Sequence, residues 1–186
     1  MKKTEIIIAI LSIIAFLLNL FLVPGGSVLT ILMLSILSSI YFYFGFALFN
    51  NIRFRNILKK ESYKGISALQ IIGAIGTGLA ISLTLIGIMF KIMSWPGAYV
   101  NLYVGIFASL VILIIGGLKF SKNKSDYYLK IFKRIGITGG LALIIVISPR
   151  NTLLDFKYRN HHEYLNLLKQ SMENPNNEDI HDKLSE

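Results

Sequence analysis

Four stretches of this chain, approximately Glu5 to Leu22, Ser27 to Phe49, Ile66 to Phe90 and Ala98 to Leu118, run almost without charge. Each has the length, roughly 20 residues, that a helix needs to cross a hydrocarbon core of about 30 Å. In hydrocarbon a lone strand or loop leaves backbone N–H and C=O groups unpaired at a cost of several kcal/mol each, so the sequence predicts helices for all four. Composition points the same way, with 54% hydrophobic and 16% charged residues among 186. A mean hydropathy of +0.61 leaves too little charge for the polar shell of a soluble domain. The predicted fold class is all-α: a multi-spanning helical membrane protein with two tandem transmembrane hairpins, a candidate fifth helix and a polar C-terminal tail.

The candidate fifth helix, Ile135 to Ser148, is shorter than a full span. It lengthens if Leu129, Ile131 and Phe132 join it while Lys130, Lys133 and Arg134 snorkel to the headgroups. The first apolar run follows Met1-Lys2-Lys3, as a secretory signal does, but it has no convincing small-residue cleavage site before Pro24 and feeds directly into another span. A retained helix is the reading. The resulting order is a first transmembrane hairpin over 1–49, a basic loop over 50–65, a second hairpin over 66–118, a second basic loop over 119–134, the fifth helix over 135–148, and the tail over 149–186.

Charge in the connectors orients the bundle. Arg53, Arg55, Lys59, Lys60 and Lys64 face a lone Glu61 in the first basic loop, and Lys119, Lys122, Lys124, Lys130, Lys133 and Arg134 face Asp126 in the second. The turn Val23-Pro24-Gly25-Gly26 has no charge, and the turn at Trp95 has only nearby Lys91. Basic loops stay in the cytoplasm. The N-terminus is then cytoplasmic, and the tail lies outside with five spans or inside with four. The formal net charge of +9 is explained by these loops. No single basic face suggests nucleic acid.

The chain also repeats itself. A shift of 72 residues carries Pro24-Gly25 onto Pro96-Gly97, Val28 onto Val100, Ile40 onto Ile112, Gly45 onto Gly117, Leu11 onto Leu83 and Ile14 onto Ile86. Asn19 falls on Lys91, giving each unit one polar residue five positions before its proline. Each unit is a helix, a Pro-Gly turn, a returning helix and a basic linker, so the two copies have the same orientation in the bilayer.

The tail changes character, holding seven of the ten acidic residues. A helix is predicted from about Leu153 to Met172 with Phe156, Tyr164, Leu165, Leu167 and Leu168 as its apolar stripe, stopped by Asn174-Pro175-Asn176-Asn177. It is read as a solvated amphipathic extension, with packing on the bundle or binding of a partner helix as the alternative.

No residue constellation predicts catalysis. There is no cysteine, and His161, His162, Glu163, His181 and Asp155 lack the i, i+4 histidine pair of a helical metal site. No Ser-His-Asp arrangement or paired intramembrane carboxylate is present. Neither an enzyme nor a cofactor is expected. Gly76-x-Gly78 lies inside a span, without the strand-turn-helix context of a nucleotide loop. The polar residues within spans, Asn19, Ser35, Ser38, Ser39, Gln70, Thr77, Ser82 and Thr84, are types that make interhelical or back-bonded hydrogen bonds. Small residues form rows that let backbones approach: Ala74, Gly78 and Ser82 on the third helix, Gly136 and Gly140 on the fifth. Both rows are read as packing within one chain, with packing between subunits as the alternative.

The segment Phe90-Lys91-Ile92-Met93-Ser94-Trp95-Pro96-Gly97-Ala98 reads first as a hairpin corner, where proline fixes φ, glycine allows the reversal and the indole sits at the lipid–water boundary. Lys91 is additionally a candidate contact for an anionic headgroup or for an acid on another subunit. This string resembles a signature in small membrane proteins related to GldL, the inner-membrane helix-pair component of bacterial gliding motility and type IX secretion. The resemblance covers Leu79 to Leu118, with a weaker echo from Phe21 to Gly45. It implies a membrane component that works with a partner; GldL itself is understood to form an ion-driven motor that depends on an intramembrane glutamate. The second hairpin has no Asp or Glu, and the acid nearest any span is Glu5 at its margin.

The expected function is therefore a structural, assembly or partner-binding role in the membrane. The expected partners are the lipid bilayer and another membrane protein or a second copy. A small transporter or channel subunit for a neutral or lipid-like substrate is the competing class, recognisable by convergence of Asn19, Gln70, Thr77 and Thr84 on a water-accessible path. A lipid-directed enzyme is a third.

Overall fold

The computed structural model describes residues 1–149, 151–174 and 177–185. Among the described residues there are eight α-helices, two short 3-10 turns and no strand. The long helices are α1 (Lys2–Leu20), α2 (Gly26–Phe49), α3 (Ala68–Ile92), α4 (Ala98–Lys122) and α5 (Asp126–Ile147), and the tail carries α6 (Thr152–Lys157), α7 (His162–Glu173) and α8 (Glu178–Ser185).

Helices α1 to α4 are each long and apolar enough to cross a membrane. Their surfaces invert the pattern of a soluble protein. Ile13, Val28, Ile72, Phe107 and Ile114 each expose 60% or more of their area, and the same holds for Ile137 and Ile144 on α5. Hydrocarbon is the solvent that accepts such a belt. The buried interior is modest: Leu34, Leu37, Tyr41, Leu48 and Phe49 of α2 meet Ile81, Leu85 and Met89 of α3 and Ile131 and Ile135 of α5. Helix α3 is central, with α2 on one side, α4 on the other and α5 against both α3 and α4.

Both Pro-Gly corners have one backbone geometry. Leu22 and Ser94, 72 residues apart, are left-handed at φ 56° and 57°, and Gly25 and Gly97 follow at φ 81° and 83°. Val23 N–H donates to the Leu18 carbonyl and Leu22 N–H to that of Asn19, and the same pair recurs from Trp95 to Phe90 and from Ser94 to Lys91. These are the 6→1 and 5→2 bonds of a Schellman cap, which satisfy carbonyls left over at a helix end. The apolar contact that accompanies such a cap is made by Trp95 edge-on to Phe90, ring centroids 5.3 Å apart. The repeat is thus a repeat of structure at its turns. Left-handed backbone at a non-glycine residue costs about 1–2 kcal/mol, which the paired bonds offset.

Two segments differ from the sequence expectation. The connector before α5 spans only 123–125, because α4 runs on to Lys122 and α5 begins at Asp126, capped by the Ser125 hydroxyl at 3.3 Å from Tyr127 N–H. Most of the expected second basic loop is therefore helical. The helix expected from Leu153 to Met172 is two helices, broken at Tyr158–His161 and held by a Lys169–Asp155 ion pair at 2.7 Å. Helix α7 ends at Glu173, while Pro175 and Asn176 of the expected stop lie outside the described residues, as does the side chain of His181.

Candidate functional site

Polar chemistry collects at the two ends of the bundle. At the first end, Glu5 of α1, Tyr41 of α2 and Arg134 of α5 meet. Arg134 donates from Nε to Glu5 Oε1 at 2.6 Å and from Nη2 to Oε2 at 2.6 Å, and the Tyr41 hydroxyl donates to Oε1. The fork of the guanidinium matches both carboxylate oxygens, the strongest form of such a pair. Glu5 and Tyr41 are buried, and the guanidinium lies over the Phe49 ring at 5.3 Å. Arg134 therefore turns into the bundle and does not snorkel outward: a carboxylate buried on α1 has no other cation within hydrogen-bonding distance among the described residues. Lys133 is exposed, as a headgroup-level lysine should be.

At the opposite end stand the two corners. Ser27 donates to Asn19 Oδ1 at 2.8 Å across the first hairpin, and Lys91 donates to the Tyr99 hydroxyl at 2.9 Å across the second. These are equivalent positions of the repeat, so each hairpin closes with one polar clasp. The Lys91 ammonium also sits 4.6 Å from the centroid of the Tyr99 ring, a cation–π contact. Lys91 is buried, whereas Trp95, Pro96, Gly97, Pro24 and Gly25 are exposed. Asn19 Oδ1 accepts a second bond, from Lys157 of α6 at 2.7 Å, and Leu153 and Leu154 line a small cavity together with Phe16, Leu20 and Ile92. Burial lowers the pKa of Lys157 from the ordinary lysine value, because the ammonium is desolvated there.

Helix α5 joins the two ends. Its start is level with that of α3, where Tyr127 donates to the Gln70 carbonyl at 2.8 Å, and its far part packs through Ala142, Ile145 and Val146 on Ile88, Ile92 and Leu102. The rise from Arg134 to Ile147 is about 20 Å at 1.5 Å per residue. The tail thus begins at the end of the bundle opposite Glu5.

Between the ends, the small-residue row Ala74, Gly78, Ser82 lies against α2. A Cβ on Gly78 would run into the Tyr41 carbonyl oxygen, one on Gly45 would stand 3.0 Å from Gly78 Cα, and the Ser38 and Ser82 hydroxyls are 2.7 Å apart. A second close approach, between α3 and α4, had no counterpart in the sequence reading: a Cβ on Gly87 would lie 2.8 Å from Leu102 N, and one on Gly105 would lie 2.8 Å from Thr84 N. The signal was there in two glycines within apolar spans. Gly136 and Gly140 differ from the expectation of packing within the chain, since nothing lies within 4 Å of a Cβ built on either. Ser12, Thr30, Thr77 and Thr84 return their hydroxyls to the carbonyl four residues back at 2.6–2.8 Å. Gln70 is a capping residue: Ser67 and Gln70 form a reciprocal box at the start of α3, a Ser-x-x-Gln signature visible in the sequence.

His161, His162 and Asp155 are exposed on the tail, and among the described residues no three His, Asp or Glu side chains gather as metal ligands. An open groove of about 560 Å³ runs between α3, α4 and α5 at the Glu5 end, bounded by Gln70, Gly76, Thr77, Ile115, Lys119 and Tyr127 among others. Comparison with protein-family models, with curated proteins and with solved structures gives no match.

Proposed function

We propose that this chain is a five-pass protein of a bacterial inner membrane with a structural, assembly or partner-binding role, and that it is not an enzyme. The observation that carries the reading is the mutual consumption of most of its described intramembrane polar groups, the buried Ser109 hydroxyl being the exception. Glu5, Tyr41 and Arg134 satisfy one another, Ser38 and Ser82 pair, and the buried threonines return their hydroxyls to their own helices. A path for ions or solutes needs polar groups that face an opening. Of the four candidates only Gln70 and Thr77 line the open groove between α3, α4 and α5, while Asn19 is at the opposite end from Gln70 and Thr84 is fully buried against Gly105. That arrangement disfavours a transporter or channel subunit.

Basic residues of the connectors at the Glu5 end, Arg53, Arg55, Lys59 and Lys124 among them, support a cytoplasmic location for that end by the positive-inside rule. In this reading the corners and the tail face outward, and α7 and α8 are the elements that meet a partner there. Partner binding is also what the resemblance of the second hairpin to GldL-related proteins implies. Mild crosslinking in intact membranes followed by affinity purification should recover either another membrane protein in fixed ratio or a ladder of multimers of this chain. A lone monomer under the same conditions would contradict the proposal.

A further inference from the structure

The groove between α3, α4 and α5 has walls of two kinds. Its inner part is apolar, built from Ile72, Ile112 and Ile115, and its mouth carries Lys119 and Asn123 at the end of α4 beside Ser67 and Gln70. Lys119 is the one charged residue among the described residues of its lining. The slot exists partly because of Gly76, where a Cβ would meet nothing within 4 Å. Tyr127 lines it beside Gln70, its hydroxyl donating to the Gln70 carbonyl. From Ser67 at the mouth to Thr77 at the inner limit is about 15 Å of helix at 1.5 Å per residue. That is the depth of one leaflet, half of a hydrocarbon core of about 30 Å.

We infer that the groove binds one anionic phospholipid, with an acyl chain along Gly76, Ile112 and Ile115 and its phosphate on Lys119. This rests on the membrane reading above and adds a ligand to it. Three observations favour this occupant over a peptide helix. The volume lies within the range of small-molecule sites, roughly 300–1,000 Å³, and is too small for a helix of about 10 Å diameter over the same depth. The apolar part faces the same hydrocarbon that covers Ile72 and Ile114. The cation stands at headgroup level, next to exposed Lys122 and Lys124, where anionic lipid is attracted.

The experiment uses the full chain in detergent, with native mass spectrometry and a titration of phosphatidylglycerol against phosphatidylcholine. Wild type is expected to retain phosphatidylglycerol in a one-to-one complex and to prefer it to phosphatidylcholine by about fivefold, the effect of one lysine near the surface. K119Q should keep the binding and lose the preference. G76L fills the slot with a better helix former at a position with open space, so it should fold as wild type does and lose retained lipid at least tenfold. Inorganic phosphate at millimolar concentration should leave the complex intact. Retention by G76L equal to wild type, equal retention of both lipids by wild type, or displacement by phosphate would each overturn the inference. Those results leave the membrane reading standing, because that reading fails only if the protein is compact and monodisperse without detergent or lipid.

Discussion

Glu5 and Arg134 lie 129 positions apart and form a two-pronged ion pair that ties the first turn of α1 to the middle of α5. Removing one partner strands the other charge in a site with little water. E5A and R134A are each expected to destabilise the detergent-solubilised protein by about 3 kcal/mol, the lower range for broken buried pairs. Replacing both, as E5L/R134M, should cost much less than the two single changes summed, since no charge is left alone. R134K should fall between, because an ammonium cannot make the fork. Thermal unfolding of the four variants measures this, and additive losses would show that the pair is not coupled.

Ser94 occupies a left-handed position that glycine adopts without strain. S94G should raise stability by about 1 kcal/mol and S94V should lower it by a similar or larger amount. Trp95 and Phe90 remain in place in both. Equal melting temperatures for the two variants would contradict the Schellman geometry of the corner.

The two small-residue rows should respond differently to enlargement. G78V drives a side chain into the Tyr41 backbone and is expected to cost about 1–3 kcal/mol or to prevent assembly of α2 on α3. G136V adds volume where nothing lies within 4 Å and should be within about 0.5 kcal/mol of wild type in the isolated monomer. Urea or heat unfolding of monomeric protein distinguishes them.

The seat of the tail should tighten as pH rises. Lys157 has a lowered pKa when docked on Asn19, so at neutral pH the charged form bears a desolvation penalty in the docked state. The penalty is lifted as pH climbs from the docked value toward the ordinary lysine value of 10.5, and the neutral amine can still donate to Asn19. Hydrogen exchange of the α6 backbone should therefore slow, relative to its intrinsic rate, across that interval in wild type and not in K157M. No change across that interval would place the ammonium in water, and the opposite trend would mean that docking favours the charged form.

Much of this architecture can be read from residue order. Long apolar runs dictate helices because hydrocarbon leaves the backbone no other partner, and the Pro-Gly pairs announce the corners. What stays hidden depends on which way a side chain turns. Arg134 reads as a headgroup-seeking cation because its neighbours Lys130 and Lys133 are basic, and nothing near it in sequence points to Glu5. Leu22 and Ser94 give no sign of left-handed backbone, which is imposed by the cap and not by residue type. The groove is equally illegible, since Gly76, Ile115, Lys119 and Tyr127 become neighbours only when three helices pack.

Five crossings of the bilayer would leave the tail on the side opposite the first basic connector. The chain has no cysteine, so single-cysteine labelling tests this without background. K60C, in the first basic connector, and N160C, between α6 and α7, are both exposed positions. With a membrane-impermeant maleimide, N160C should react in cells whose inner membrane is intact, and K60C only after that membrane is opened. Reaction of both positions from the same side would contradict a fifth crossing.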